Sequence, residues 1–115
     1  MAGISFSKEA RGIWIVAGWA FREVLRDVLN NCPEDSEMAA KFDEAEARGF
    51  LHVEYLDSYL AARVAKCIRE VATGVLGGTV RSGIVERFPD KDTIQEYRKG
   101  LQMLLEATQA FEEQP

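Results

Sequence analysis

The sequence predicts an all-α fold, a compact bundle of four main helices and one short helix. Apolar residues recur at intervals of three and four along most of the 115 residues, which is the spacing of one buried helix face. Clusters of Gly, Pro and Asn separate segments of helical length. The composition, 47% apolar and 29% charged, is typical of a chain that folds around one core. We therefore expect a single helical domain over residues 1–115.

The first helix is predicted over Lys8–Asn30. Its inward stripe consists of Trp14, Ala17, Phe21, Val24, Leu25, Val28 and Leu29. A second strip beside it consists of Ile15, Trp19, Arg22 and Arg26. Trp and Arg often dominate binding energy, and apolar side chains outside the buried stripe need a cover. The strip therefore predicts an interface for a homo-oligomer; the alternative is that the short fourth helix covers it within the same chain.

The second helix is predicted over Glu34–Arg48, with acidic residues in its first turn, where the helix dipole favours them. Residues 34–57 carry eight acidic and two basic side chains, a net charge of −6. The candidate acidic surface consists of Glu34, Asp35, Glu37, Asp43, Glu44 and Glu46. This surface predicts attraction to a basic protein partner through complementary charge, and the alternative is an ordinary solvated helix face.

The third helix is predicted over Leu51–Thr73, although the alternation in Phe50–Val53 also fits a short strand. One flank of its apolar stripe carries aromatic and charged side chains at helical spacing: His52, Tyr55, Tyr59, Arg63, Lys66 and Glu70. Tyrosine rings and an arginine can form a pocket for a small anion. Small-molecule binding or enzymatic activity beside these residues is therefore the alternative function. The simpler interpretation is the wet border of a buried stripe.

A glycine cluster over residues 74–78 ends the third helix, and a short helix is predicted over Val80–Phe88. The last helix is predicted from Asp92, where the sequence matches a capping box. Gly78 and Gly83 have the spacing of a phosphate-binding Walker loop, but the lysine that should follow is missing. We therefore expect a turn between helices there.

Charge, length and ligand count disfavour several classes of function. The net charge of −5 opposes binding to nucleic acid and to anionic membranes. His52 is the single histidine, so a two-histidine zinc site or a di-iron site has too few ligands, and no metal or cofactor is expected. The longest uncharged apolar run, Ile13–Phe21, has nine residues, too few to cross a bilayer as a helix.

The two cysteines, Cys32 and Cys67, are too few for a disulfide framework, although one bridge remains open. Two reduced thiols are typical of a cytoplasmic protein, which is the expected location. Cys67 lies in a buried stripe, where thiols are usually inert, so cysteine catalysis is disfavoured. The sequence favours a non-catalytic protein–protein interaction module that self-associates and presents an acidic surface to a basic macromolecule.

Overall fold

Five α-helices and one small sheet make up residues 1–112, the part of the chain that the computed structural model describes. The helices are α1 (Gly18–Asn31), α2 (Ser36–Arg48), α3 (Ser58–Gly77), α4 (Ile84–Arg87) and α5 (Lys91–Glu112). The strands are β1 (Ala2–Ser5), β2 (Ile13–Val16) and β3 (Phe50–His52). The prediction of four main helices and one short helix is confirmed. The last three residues of the predicted domain lie outside the described residues.

The sheet corrects the prediction that the fold is purely helical. Its strand order is β2-β1-β3, with β1 antiparallel to β2 and parallel to β3. The β1 strand therefore has a hydrogen-bonded neighbour on both sides, and all four of its residues are buried. Parallel pairing requires a long crossover connection, which here contains β2, α1 and α2.

The predicted first helix is wrong over its first half. A single 3₁₀ turn at Ala10–Gly12 is followed by β2, and α1 begins only at Gly18. Three of the four β2 residues are β-branched, which favours a strand. The run is apolar at every position, so its sequence contains no alternation of polar and apolar residues that could distinguish a strand from a helix. Gly12 is needed at the turn because a side chain there would collide with Ser7 and Ala110.

The two faces of the sheet have different environments. Ile4 lies opposite Trp14 on β2 and Leu51 on β3, and all three side chains are buried. Trp14 also donates a hydrogen bond from Nε1 to the carbonyl of Gly100 in α5, at 2.9 Å. Because side chains alternate along a strand, the other face of β2 carries its two isoleucines, and both are partly exposed to solvent.

The third helix begins later than predicted. Phe50–His52 form β3, so the short strand that the alternation also fitted is confirmed, and a 3₁₀ turn follows at Val53–Tyr55. The helix α3 begins at Ser58, because the Asp57 carboxylate accepts hydrogen bonds from two backbone N–H groups of the first turn, both at 3.1 Å.

The end of α3 is a Schellman motif. The N–H of Thr79 donates to the carbonyl of Gly74 at 2.8 Å, and Gly78 has φ +81°, a left-handed conformation that glycine adopts without strain. The chain then folds back onto the helix so closely that a Cβ on Gly74 would collide with Val80. The predicted short helix over Val80–Phe88 is correspondingly shorter, since α4 has four residues.

The predicted α2 matches the structure within two residues. Asp35 caps it by accepting a hydrogen bond from the N–H of Met38 at 3.1 Å, and Gly49 ends it with φ +79°. The α5 helix begins one residue before its predicted start. Side chains from the sheet's inner face and from all five helices meet in one buried apolar cluster.

Two glycines inside helices give a paired test of this packing. Gly100→Ala adds a methyl group that meets Trp14 at an ordinary contact distance of 3.9 Å, so the gain in helix propensity should raise the free energy of unfolding by about 0.5–1 kcal/mol. Gly74→Ala places the same group against Val80 and should lower that free energy by about 1–3 kcal/mol. Urea denaturation checks both signs. Stabilisation by both substitutions would contradict the described contact between α3 and Val80.

Candidate functional site

The predicted interface residue Ile15 lies on β2, an edge strand of the sheet. The N–H of Phe6 donates to the carbonyl of Gly12 at 2.7 Å, and hydrogen-bonded pairs alternate along an antiparallel ladder. The ladder to β1 therefore continues through Trp14 and Val16, so the backbone N–H and C=O of Ile15 are directed away from β1. Within residues 1–112, neither group has a backbone partner on its outer side. The side chain of Ile15 is 44% exposed.

A groove of about 440 Å³ lies beside this strand, between β2, the start of α1 and α5. We call it the edge groove. Its lining includes Ile15, Val16, Trp19, Glu96, Lys99 and Met103. The structure therefore brings the two apolar residues of the predicted strip, Ile15 and Trp19, to one groove. Neither Arg22 nor Arg26 lines it.

The side chain of Trp19 is partly covered by its own chain. The centroid of its ring lies 5.3 Å from that of Phe88, which follows α4, and 6.4 Å from that of Tyr97 in α5. The alternative that the segment around the fourth helix covers the strip therefore holds for part of Trp19. The rest of this side chain lines the edge groove.

Four of the six acidic candidates of the α2 surface pair with cations of this chain. The pairs are Asp35 and Glu37 with Arg63, at 2.9 and 3.3 Å, Glu44 with Lys41 at 3.8 Å, and Glu46 with Arg26 at 3.9 Å. The hydrogen bond from Arg63 lowers the pKa of Asp35 below its ordinary value. Among residues 1–112, Glu34 and Asp43 contact no cation within 4.0 Å. The surface is therefore less negative than the residue count suggests.

The predicted ligand pocket exists in part. A cleft of about 310 Å³ lies between the second half of α2 and the segment that follows it, and we call it the histidine cleft. Its lining is Lys41, Glu44, Ala45, Arg48, Phe50, Leu51, His52, Tyr55 and Leu56. It contains His52 and Tyr55 of the predicted set. Tyr59, Arg63 and Lys66 do not line it.

The late start of α3 explains this difference. His52 lies on β3 and Tyr55 in the 3₁₀ turn, so helical spacing does not connect them to the α3 residues that were predicted beside them. Two cations of α2, Lys41 and Arg48, supply the positive charge of the cleft instead. They lie seven residues apart, a helical spacing that places both on one face of α2 and that could have identified them.

His52 is held by two aromatic rings and one hydroxyl group. The centroids of the Phe50 and Tyr55 rings lie 4.7 and 5.3 Å from that of the imidazole. Nδ1 of His52 lies 3.0 Å from Oγ of Ser5, and the Ser5 hydroxyl donates to Oε1 of Glu54 at 2.6 Å. In a catalytic serine triad the hydroxyl proton goes to the imidazole. Here it goes to the carboxylate, so Ser5 is not arranged as a nucleophile.

A buried polar network, which the sequence analysis missed, joins α1 to the α4 segment and to α5. Asp27 of α1 accepts hydrogen bonds from the hydroxyl groups of Ser82 and Tyr97, the latter at 2.8 Å, and from the N–H of Gly83 at 3.0 Å. Asp27 is 1% exposed. No buried side-chain nitrogen or oxygen in the described part of the chain lacks a hydrogen-bond partner, so this network is complete without a ligand.

Glu23, one turn before Asp27, extends this network by a two-point ion pair. Arg87 donates to both carboxylate oxygens of Glu23, at 2.7 and 2.6 Å. Burial raises the pKa of Glu23, but the hydrogen bonds and the charge of Arg87 more than offset this, and the pKa lies below its ordinary value. A Cβ at position 83 would meet the guanidinium group of Arg87, so a larger residue there would have to displace the end of this side chain from its place beside Glu23. The available signal was the pair of acidic residues Glu23 and Asp27, which lie four residues apart and therefore share one helix face with Trp19.

The two cysteines are free and half-buried. Burial raises the pKa of Cys67 to about 12, and the neighbouring Cys32 adds to this effect. The thiolate is the nucleophilic form of cysteine, so this shift opposes a catalytic role for Cys67.

In comparisons with known proteins, the chain matches no family model, no curated protein and no solved structure. Within residues 1–112, no group of three or more His, Cys, Asp or Glu side chains is placed to hold a metal ion. Over the same range, no helix has both the length and the apolar character that crossing a membrane requires. The edge groove, with Ile15 and Trp19, and the histidine cleft, with His52 and Tyr55, are the candidate sites for interaction and for ligand binding.

The buried carboxyl of Asp27 makes stability depend on pH. Burial raises its pKa from the ordinary 3.8 to about 6. Below pH 3.8 the carboxyl is protonated in both the folded and the unfolded protein. As the pH rises through about 6, the folded protein must ionise a buried carboxyl, and part of the free energy of unfolding is lost. The free energy of unfolding of the native protein minus that of Asp27→Asn should therefore fall by on the order of 2–3 kcal/mol between about pH 4 and about pH 7.

Urea denaturation of both proteins across this pH range measures the difference. Asp43→Asn is the matched control, because Asp43 is exposed, and its difference from the native protein should change little with pH. A difference for Asp27→Asn that rises with pH would contradict the raised pKa.

Proposed function

We propose that this protein is a non-catalytic interaction module that self-associates through the exposed edge of β2. The observation that carries the proposal is the edge itself, where the N–H and C=O of Ile15 have no backbone partner on their outer side among residues 1–112. Exposed sheet edges pair readily with another strand. Ile13 and Ile15, at 40% and 44% exposed, add apolar surface that such pairing would cover.

A second copy of the chain is the occupant that fits this edge. In an antiparallel pair related by a two-fold axis, the two Ile15 residues can lie opposite each other and exchange both hydrogen bonds. The edge groove carries Glu96 and Lys99, which have opposite charges and lie one turn apart on α5. A two-fold axis can place Glu96 of one copy near Lys99 of the other, so the charges of this face complement themselves.

Substitution of Ile15 by lysine tests this proposal. Lysine on an edge strand opposes pairing with a second strand, so Ile15→Lys should weaken self-association about tenfold or more. Because the side chain is 44% exposed, the melting temperature of the monomer should change little. Sedimentation equilibrium of the native and variant proteins at micromolar concentrations measures the effect.

Val85→Lys is the matched control, because Val85 is 41% exposed, lies on α4 and does not line the edge groove. It should leave association unchanged. A native protein that remains monomeric throughout, or equal loss of association in both variants, would contradict pairing through β2. Pairing of the β2 edge with an extended peptide of another protein, while the chain itself stays monomeric, would also contradict it.

The proposal extends to a basic protein partner on α2. Glu34 and Asp43 are the support, since both are exposed and contact no cation within residues 1–112. The four other acids of this surface share three cations of the chain. Attraction of a basic partner therefore depends mainly on Glu34 and Asp43. Complementary charge of this kind speeds association and selects partners.

A ten-residue oligolysine peptide serves as the probe for this surface. At low salt, the double substitution Glu34→Lys with Asp43→Lys should weaken its binding about tenfold. Glu70→Lys with Glu106→Lys makes the same change in net charge on α3 and α5 instead of α2, and should weaken binding less. Equal losses in fluorescence anisotropy titrations would mean that only net charge matters, and the α2 surface would be rejected.

Binding of a small anion in the histidine cleft is the second candidate function. The specific observation in its favour is that Lys41 and Arg48 line the same cleft as His52 and Tyr55. A volume of about 310 Å³ lies at the lower end of the range for small-ligand sites. Among residues 1–112, Arg48 has no carboxylate within 4.0 Å, so its charge is available to a ligand.

A further inference from the structure

The hydrogen bonds of Ser5 determine which nitrogen of His52 carries the proton. Ser5 has one hydroxyl proton, and it is donated to the carboxylate of Glu54 at 2.6 Å. The contact of 3.0 Å between Ser5 Oγ and His52 Nδ1 is then a hydrogen bond only if Nδ1 carries a proton and donates it. In the neutral imidazole the other nitrogen, Nε2, is therefore an acceptor with a free lone pair.

Within residues 1–112, the hydrogen bond of the imidazole is made at Nδ1, and Nε2 has no hydrogen-bond partner. Phe50 and Tyr55 lie against the ring, with centroids at 4.7 and 5.3 Å, and Ser5 holds the Nδ1 edge. The remaining edge of the ring carries Nε2. The His52 side chain is 51% exposed, whereas Ser5 is 3% exposed and the Glu54 side chain 10%. Ser5, which orients the ring, is thus buried, the Glu54 carboxylate that accepts from Ser5 is mostly covered, and the ring itself reaches the cleft.

The charges of the histidine cleft favour an anion. Lys41 and Arg48 are its cations, and Glu44, 3.8 Å from Lys41, is its one acidic lining residue. An arginine without a carboxylate partner presents a planar set of donors that matches carboxylate and phosphate oxygens. The cleft therefore combines positive donors with one neutral nitrogen acceptor.

We propose that the histidine cleft binds a small carboxylate or phosphate anion that also carries a hydroxyl group, with Arg48 and Lys41 contacting the anionic group and Nε2 of His52 accepting a hydrogen bond from the hydroxyl. This inference rests on the second candidate function, anion binding in the cleft, and adds the identity of the ligand class. An acceptor next to a bound anion favours ligands that donate to it, because an analogue without the hydroxyl leaves Nε2 unpaired.

The tautomer of His52 is tested without any substitution. The chain has one histidine, so its imidazole signals need no assignment by mutagenesis. Long-range proton–nitrogen correlation spectra of the neutral imidazole should show the proton on Nδ1, the tautomer that free histidine disfavours. A proton on Nε2 would overturn the inference, because that nitrogen would then donate and could not accept from a hydroxyl.

Two probes test the ligand class, 4-hydroxybenzoate and benzoate, which share a carboxylate and a ring and differ in the hydroxyl. In calorimetric titrations the native protein should bind 4-hydroxybenzoate about tenfold more tightly than benzoate. His52→Phe keeps an aromatic ring but removes Nε2, so it should abolish this preference while benzoate binds as before. Arg48→Ala should weaken both probes about tenfold. Lys66→Ala removes the same charge outside the cleft and should affect neither.

The outcomes separate the inference from the function on which it rests. If neither probe saturates the native protein at about 10 mM, a concentration at which even weak sites fill, anion binding in the cleft is itself rejected. If both probes bind equally and Arg48→Ala weakens both, the cleft is an anion site, but the role of His52 and the hydroxyl requirement are wrong. The comparison of two probes on the native protein needs no variant to fold.

Discussion

The structure depends on the pairing of β1 with a strand on each side. The strand lies between β2, its neighbour along the chain, and β3, whose first residue comes forty-five residues after the last residue of β1. Its inward residue Ile4 and the following Phe6 are fully buried, and each such side chain stabilises the fold by about 1.5–3 kcal/mol. Gly3 is the constraint on the outer face, because a side chain there would collide with the backbone of Trp14 and with the ring of Phe50.

This pairing creates both candidate sites. With β1 in the middle of the sheet, β2 is left as an edge strand, on which the outer N–H and C=O of Ile15 have no backbone partner among residues 1–112. On the other side, the parallel register places Ser5 of β1 opposite His52 of β3, so that the hydroxyl orients the imidazole. The edge groove and the histidine cleft are thus built on opposite outer strands of one sheet, and one can be occupied while the other remains open.

The buried network around Asp27 has a different role. The α4 segment has only four helical residues, too few to be stable by local hydrogen bonds. The carboxylates of Glu23 and Asp27 hold it against α1, through Arg87 and through the Ser82 and Gly83 positions. Because every buried side-chain nitrogen and oxygen of the described residues has a hydrogen-bond partner, this network holds the segment that covers Trp19 and offers no polar group to a ligand.

The sequence predicts the helical part of the fold and only part of the sites. Polar and apolar residues alternate with helical period through α2, α3 and α5, so the period is readable, and Asp35 and Gly49 mark the ends of α2. The run Ile13–Phe21 is apolar throughout and has no such period, so the pattern predicts a helix where β2 forms. Gly12 and Gly18, which lie on either side of β2, were the available sign of a strand with turns at both ends.

The sites were harder to predict because they are formed by non-local pairing. Ser5 and Glu54 lie forty-nine residues apart and meet only through the sheet. Arg63 was predicted in a ligand pocket, but it is bound to the cap of α2. Helical spacing in the sequence shows which residues share a face with a cation such as Arg63. The acid that pairs with this cation can be identified only from the packing of the helices.

Amide hydrogen exchange of β1 tests the two-sided pairing most directly. If β1 is the central strand, the amide of Ile4, which is directed at β2, and the amide of Gly3, which donates to the carbonyl of Gly49 beside β3 at 3.1 Å, should both exchange only through global unfolding, as slowly as the amide of Val64 in the core of α3. Exchange of the β1 amides at the rate of a free peptide, while Val64 stays protected, would contradict the pairing. Both candidate sites would then lose the strand on which they are built.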